Sequence, residues 1–253
     1  MLRRTRYRNN SVVQLFCVPH AGNGPAVFRE WADRLVPEIE TIVVELPGRE
    51  SRFYEVPYQR MEPLVNDLAD AVIDCLSVDR SFAFFGNSMG SLIAFETLHE
   101  IRRRIGREAL HLFVSACGAP QCQPILPPMG HLEDEALISE VDSRYGGIPA
   151  PVLADKEFLA LALPTLRADI CLLEAYPQDG HQSLDCPITA FAGRFDATIP
   201  LEQVEAWGEQ TSGKFENFVL EEGHLYLDSA RDFLLRNLSQ ALLAAALEER
   251  GSQ

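Results

Sequence analysis

SFAFFGNSMGSLIAFETLHEIRRR, residues 81–104, is the stretch on which the fold turns. Residues 81–86 form a short aromatic run of strand character, and from about Ser88 onward the sequence is helix-forming. Between them stands Gly86-Asn87-Ser88-Met89-Gly90, a G-x-S-x-G turn. In such a turn a serine sits on a sharp strand-to-helix bend that only flanking glycines accommodate. The five-residue pattern is weak by itself, but a strand ending at Gly86 and a helix starting at Ser88 supply the context it needs. The helix N-terminus there also favours developing negative charge. The non-catalytic alternative is a helix N-cap serine in a glycine turn.

Reading outward, VVQLFCV (12–18) and TIVVEL (41–46) are apolar runs closed by Pro and Gly, which predicts two buried strands. VFREWADRLV (27–36) spaces Phe28, Trp31, Leu35 and Val36 as a helix does, so the chain opens as a β-α-β unit. Leu64, Leu68, Val72 and Leu76 predict an amphipathic helix over 61–76. Further strands are expected at 111–116, 187–193 and 214–220, with a helix in LEQVEAWGEQ and a last one from about Tyr226 through Leu247. This alternation predicts an α/β fold, a mostly parallel sheet with helices on both faces. Residues 121–185 interrupt it. DEALISEVDSRY, DKEFLALAL and TLRADICLLEAY have helical patterning separated by Pro and Gly, which reads as a helical lid inserted over the C-terminal edge of the sheet.

The length of 253 residues suits a single domain spanning 1–253, with the 121–185 insertion inside it. Hydrophobic residues at 47% and charged residues at 23% are those of a globular chain. The basic N-terminus is followed by too short an apolar run for a signal peptide, and no stretch reaches the roughly 20 apolar residues of a membrane span. A cytoplasmic protein is expected. The six cysteines form no C-x-x-C pair, so neither zinc nor a disulfide framework is suggested, and no metal or organic cofactor is implied. A formal net charge of -15 argues against nucleic acid or an anionic membrane as partner.

A serine hydroxyl needs a base, and the base should follow a late strand. Glu221-Glu222-Gly223-His224 lies between the strand at 214–220 and the last helix, which makes His224 the candidate. The other histidines fit worse: His99 and His111 flank remote elements, His131 and His181 lie in the insertion, and His20 precedes an early glycine-rich loop. An orienting acid is expected between nucleophile and base in the chain order Ser, Asp, His, and Asp196 follows the strand at 187–193. The turn after the preceding strand, Ser115-Ala116-Cys117-Gly118, holds no carboxylate. The oxyanion of acyl transfer needs two backbone N–H donors. Met89, after the nucleophile, and Ala21, in the loop Pro19-His20-Ala21-Gly22-Asn23-Gly24, are the candidates; that loop could otherwise be an ordinary glycine-rich β-α turn.

LFCVPHAGNG, VVELPGRESRF, FFGNSMGSLIAFE, LPTLRADICLLEAY, CPITAFAGRFDATIP and EEGH together span nearly the whole chain. In that order they resemble the type II thioesterases that accompany polyketide synthases and nonribosomal peptide synthetases. The resemblance implies an α/β-hydrolase fold with a helical lid, a triad of Ser88, Asp196 and His224, and an oxyanion hole at Ala21 and Met89. It further implies an enzyme, without cofactor, that removes stalled or incorrect acyl groups from the phosphopantetheine arm of acyl or peptidyl carrier proteins; a monomer is expected. This chain departs from the family in having Asn87 where histidine is common and Asn23 where a second glycine is common. Product release or cyclisation on the same triad, and a non-catalytic carrier-binding scaffold, are the alternatives. Arg102, Arg103, Arg104 and Arg107 are either a contact for an acidic carrier protein or a solvated helix C-terminus.

Overall fold

Strand alternation sets the layers. In the computed structural model, which describes residues 1–4, 10–123, 127–146, 150–177 and 182–251, the strands are β1 (Leu2–Arg4), β2 (Val13–Val18), β3 (Ile39–Val44), β4 (Ser81–Asn87), β5 (His111–Ser115), β6 (Ile188–Gly193) and β7 (Phe215–Leu220). Val13, Leu15 and Cys17 of β2 join the core on one face, while Phe16 and Val18 join the core on the other. A strand apolar on both sides must be covered on both sides. The seven strands form one sheet in the order β1-β3-β2-β4-β5-β6-β7, parallel throughout except that β1 pairs antiparallel with β3.

The helices are α1 (Trp31–Arg34), α2 (Met61–Cys75), α3 (Met89–Ile105), α4 (Asp134–Tyr145), α5 (Ala150–Ala154), α6 (Lys156–Glu174), α7 (Leu201–Glu205) and α8 (Arg231–Gly251). Leu64, Leu68 and Val72 of α2 and Ile93 and Phe95 of α3 bury against one face with Phe16, Phe84 and Val114. Trp31 of α1 and Leu234, Leu238 and Leu242 of α8 cover the other, against Phe85, Phe113 and Phe191. Burial of each such side chain contributes on the order of 1.5–3 kcal/mol. Between β5 and β6 the chain leaves the sheet for α4, α5 and α6. Met129, Leu137, Val141, Leu163 and Ile170 make a third, smaller core there. No helix among the described residues is long and apolar enough to cross a membrane.

Several expected elements differ in extent. The helix expected over 27–36 is two short pieces, a 3-10 turn at Pro25–Phe28 and then α1. Pro37 disfavours a helical Val36, so the turn opens at Leu35, whose ψ is 149°. The two helical segments expected on either side of Pro164 are one helix, α6, which passes through the proline. Proline removes one i→i−4 bond; burial of Leu163 and Ile170 in one core keeps both halves in line. The last helix starts at Arg231 and not near Tyr226, and the residues before it form turns. The basic N-terminus holds an edge strand, β1, which sequence reading treated only as a non-signal segment.

His111 opens β5 with its ring stacked on Phe113 (4.1 Å) and Nε2 2.8 Å from Thr189 Oγ1. Burial lowers its pKa from 6.5 to about 4. Between those values the unfolded chain takes up a proton that the folded chain refuses, so stability rises with pH across that window and is lost as pH falls. Replacing His111 by Gln should reduce the slope of unfolding free energy against pH between about 4 and 6.5 by up to about 1.4 kcal/mol per pH unit. Denaturant titrations across that range measure it, and an unchanged slope would refute the assignment.

Candidate active site

The turn from β4 into α3 holds Ser88 at φ 51°, ψ -120°, a region that residues with a Cβ rarely occupy. Its neighbours leave no room for side chains. A Cβ on Gly86 would lie 2.4 Å from the Gly90 carbonyl oxygen, and one on Gly90 would lie 2.2 Å from that of Val18. Hydrogen bonds determine the strained residue further. Ser88 N–H donates to Ser115 O (2.7 Å), and the Ser91 hydroxyl donates to Gly86 O (2.9 Å) while accepting from Ser115 N–H (3.2 Å). Ser91 is fully buried, and sequence reading did not single it out.

Asp196 lies in the turn after β6 and His224 in the turn after β7. The two turns are bonded to each other, with Phe195 N–H donating to Glu222 O (2.8 Å) and Arg194 N–H to Leu220 O (2.8 Å). Gly193 permits the approach, since a Cβ there would lie 2.1 Å from Gly223 O. Asp196 Oδ1 accepts from Thr198 N–H (2.9 Å), Thr198 Oγ1 (2.6 Å) and Ile199 N–H (3.2 Å). That leaves Oδ2 for His224 Nδ1, 2.6 Å away. Burial opposes the charge on Asp196, but the hydrogen bond and charge of His224, with the Thr198 bonds, hold its carboxyl below its ordinary pKa. The carboxylate thus sets Nδ1–H as the donor, and Nε2 faces Ser88 Oγ at 3.2 Å.

Ser88, Asp196 and His224 therefore meet in one hydrogen-bonded chain, although they lie 136 and 28 residues apart along the sequence. Such a chain can deprotonate the hydroxyl as it attacks a carbonyl. Behind it the Tyr226 hydroxyl accepts from Ala116 N–H (2.9 Å) and Ser115 Oγ (2.9 Å) and donates to Phe191 O (2.7 Å). This tyrosine ties the end of β5 to β6; a lone Tyr in a loop carries no such signal in sequence. Tyr145, the last residue of α4, covers the His224 ring at 5.3 Å.

A cavity of about 700 Å³ opens over Ser88, walled on its far side by residues of α4, α5 and α6, among them Val141, Val152, Leu166 and Ile170. Ala21 and Met89 line it beside Ser88 and His224. Met89 is the first residue of α3, where backbone N–H groups lack intrahelical partners. Asn87 is buried and its amide nitrogen lies 3.2 Å from His20 Nδ1. Burial first, and then His224, lower the pKa of His20 to about 4, so the ring is neutral and the Asn87 amide donates to it. Asn23 is exposed, with its N–H on His20 O (3.2 Å).

Of the remaining histidines, His99 lies on α3, His111 on β5 and His131 before α4, none lining the cavity, while His181 lies outside the described residues. Cys17, Cys117 and Cys186 are buried and all six thiols are free. Among the described residues no group of three His, Cys, Asp or Glu side chains could hold a metal ion. The arginine run does not favour a docking role. Arg102 pairs with Glu108 and Asp185, Arg103 and Arg104 with Glu100, and Arg107 donates to Ser77 O and Arg80 O. The run also ends α3, a helix of 17 residues and so about 25 Å long, whose other end carries Ser88.

The thioesterase domain family matches residues 13–242. Gramicidin S biosynthesis protein GrsT of Aneurinibacillus migulanus is 36% identical over 234 residues, covering 91% of this chain and 90% of its own. Among solved structures, the RedJ thioesterase of the prodiginine pathway of Streptomyces coelicolor has a TM-score of 0.84 at 36% identity, covering 91% of each chain. The type II thioesterase BorB of the borrelidin biosynthetic cluster has a TM-score of 0.87 at 32% identity, covering 95% of this chain and 97% of that one. The fold they share is the α/β-hydrolase fold. The chain belongs to the thioesterase domain family and is a hydrolase of thioester bonds.

Proposed function

We propose that this chain is a type II thioesterase of nonribosomal peptide or polyketide assembly, which removes acyl groups from the phosphopantetheine arm of acyl or peptidyl carrier proteins. The observation that carries the reading is the hydrogen-bonded chain Asp196–His224–Ser88 opening onto a largely apolar cavity of about 700 Å³. Ser88 is the nucleophile, His224 the general base and Asp196 its orienting acid. His224 Nε2 takes the hydroxyl proton as Ser88 Oγ attacks the thioester carbonyl. The oxyanion forms against the backbone N–H groups of Met89 and Ala21, which concentrates stabilisation where charge develops. The tetrahedral intermediate collapses, the C–S bond breaks, and His224 returns its proton to the departing thiolate. Water, deprotonated by His224, then attacks the acyl-serine; the bond from the acyl carbon to Ser88 Oγ breaks, His224 returns the proton to Oγ, and the carboxylic acid is released.

Residues 1–253 are read as one α/β-hydrolase domain, with 121–185 as a helical lid that supplies the far wall of the cavity. The third core, shared by α4 and α6, supports treating that segment as an insertion with packing of its own, joined to the large core through Leu172 and Tyr176. A monomeric, cytoplasmic enzyme acting on carrier proteins fits this reading.

Hydrolysis of an acyl-phosphopantetheine carrier protein, compared with the same acyl group on a simple oxygen ester, tests the proposal. Fast release from the carrier that Ser88→Ala abolishes supports an editing thioesterase; preference for the oxygen ester would make it a general esterase. By analogy with other serine hydrolases, Asp196→Asn should lower kcat by roughly 10⁴-fold through the wrong histidine tautomer. A loss below about tenfold would remove Asp196 from that role. If the cavity holds the acyl chain, Ala162→Phe on α6, where Ala162 lines it, should raise KM for a long-chain thioester while leaving acetyl turnover near wild type. Equal effects on both chain lengths would place the acyl group elsewhere.

A further inference from the structure

We propose that Asp169, through its ion pair with Arg49, is a positioning residue for the oxyanion hole. The inference rests on the reading above, in which Ser88 is the nucleophile and Ala21 N–H a donor. Asp169 stands on α6 and Arg49 follows β3; their side chains are 2% and 6% exposed. The pair is bidentate, with Arg49 Nη2 on Asp169 Oδ1 at 2.8 Å and Nη1 on Oδ2 at 2.9 Å. Each partner also bonds the early loop. Asp169 Oδ2 accepts from Gly22 N–H at 2.8 Å, and Arg49 Nη1 donates to Asn23 O at 2.9 Å.

These two bonds fall on the two residues after Ala21. His20–Asn23 is a turn closed by Asn23 N–H on His20 O (3.2 Å), and Gly22, its third residue, has φ 74°, as a type II turn requires. In a turn of this kind the central peptide, Ala21–Gly22, can flip towards the type I form. A carboxylate 2.8 Å from Gly22 N–H admits only one orientation of that peptide. The Arg49 contact holds the following carbonyl. Thr165 Oγ1 on Gly48 O (2.6 Å) fastens α6 to the same loop after β3.

A buried ion pair is weak evidence for a purely stabilising role, because apolar replacements of similar volume often restore or exceed stability. Here each partner also makes a hydrogen bond with the backbone that presents Ala21, while Arg49 Nε donates to Pro47 O (3.2 Å) in its own loop. PGR and LRAD are parts of the two sequence stretches, residues 43–53 and 163–176, for which the triad supplies no role.

Two variants test the assignment: Asp169→Asn, which strands the buried guanidinium, and the double variant Arg49→Met/Asp169→Leu, which removes both charges and keeps apolar bulk. Both are assayed with octanoyl-N-acetylcysteamine for kcat and KM, by thermal melting, and for inhibition by an octyl trifluoromethyl ketone, which adds to serine as a tetrahedral oxyanion. Asp169→Asn should lower kcat by about 10- to 100-fold with KM within about twofold, since misplacing one donor affects the transition state more than the ground state. The ketone's inhibition constant should rise by a similar factor. The double variant should melt near the wild-type temperature and still show the low kcat. Recovery of kcat together with melting temperature, or wild-type kcat in either variant, while Ser88→Ala is inactive, overturns the positioning role and leaves the triad standing. Undiminished turnover by Ser88→Ala overturns the triad and the positioning role with it.

Discussion

The close seating of the α3 N-terminus against the ends of β2 and β4 is the contact on which the site depends. Ser88 occupies a backbone conformation that costs on the order of 1–3 kcal/mol and persists only where the surroundings over-determine it. The surroundings here are steric as well as polar. Gly90 brings α3 within van der Waals range of the Val18 and Pro19 carbonyls, and Gly86 does the same for the first turn of α3. The same closeness sets Met89 beside the loop that carries Ala21, because that loop continues from β2. Strain at Ser88 and the placing of Met89 beside the loop of Ala21 thus have a common origin in packing.

Asp196 and His224 follow a different logic. Neither lies near Ser88 in sequence, and neither is held by a helix. They occupy turns after two adjacent parallel strands, and in-register pairing from Ile188↔Phe215 to Gly193↔Leu220 delivers the turns side by side. A slip of one residue would reverse which side chains face the core on β7 and would carry His224 away from Asp196. The aromatic stack of Phe191 on Phe218 (5.6 Å) and the edge of Phe233 against Phe218 (5.7 Å) are the contacts that oppose such a slip.

Sequence reveals features whose signal is local. The elbow was legible because a strand, two glycines and a helix stand within a few residues, and Asp196 and His224 because each follows a recognisable strand. The interruption at 121–185 was legible as missing strands. The features missed are those whose meaning is supplied by a partner far along the chain. Continuity of α6 through Pro164 depends on burial of Leu163 and Ile170 in a core with Met129 and Leu137. β1 is three residues long and owes its existence to the exposed edge of β3. Tyr226 and Ser91 have roles only because parallel pairing brings the end of β5 between them. The arginines at the end of α3 read as an exposed positive patch in sequence, while the fold brings Asp70 and Asp185 to them, beside Glu100 and Glu108 close by in the chain.

α6 belongs to two cores at once, and this governs how the cavity relates to the chemistry. Leu163 and Ile170 lie in the small core with α4, whereas Leu172 is buried in the large core beneath the sheet, with Leu173 packed against it. Leu166, Ile170 and Leu173 all line the cavity. Any displacement of the wall by a bulky acyl group must therefore bend α6 between its two anchorages or shift the small core as a unit. Pro164, with its missing hydrogen bond, lies on the small-core side. Asp169 and Thr165, which hold the loops after β2 and β3, lie between the proline and the large core. The helix is thus most constrained between Thr165 and Asp169, where it holds the loops after β2 and β3. Under the proposed reading, an acyl chain in the cavity would meet a wall whose best-held part is the part that also holds the loop of Ala21.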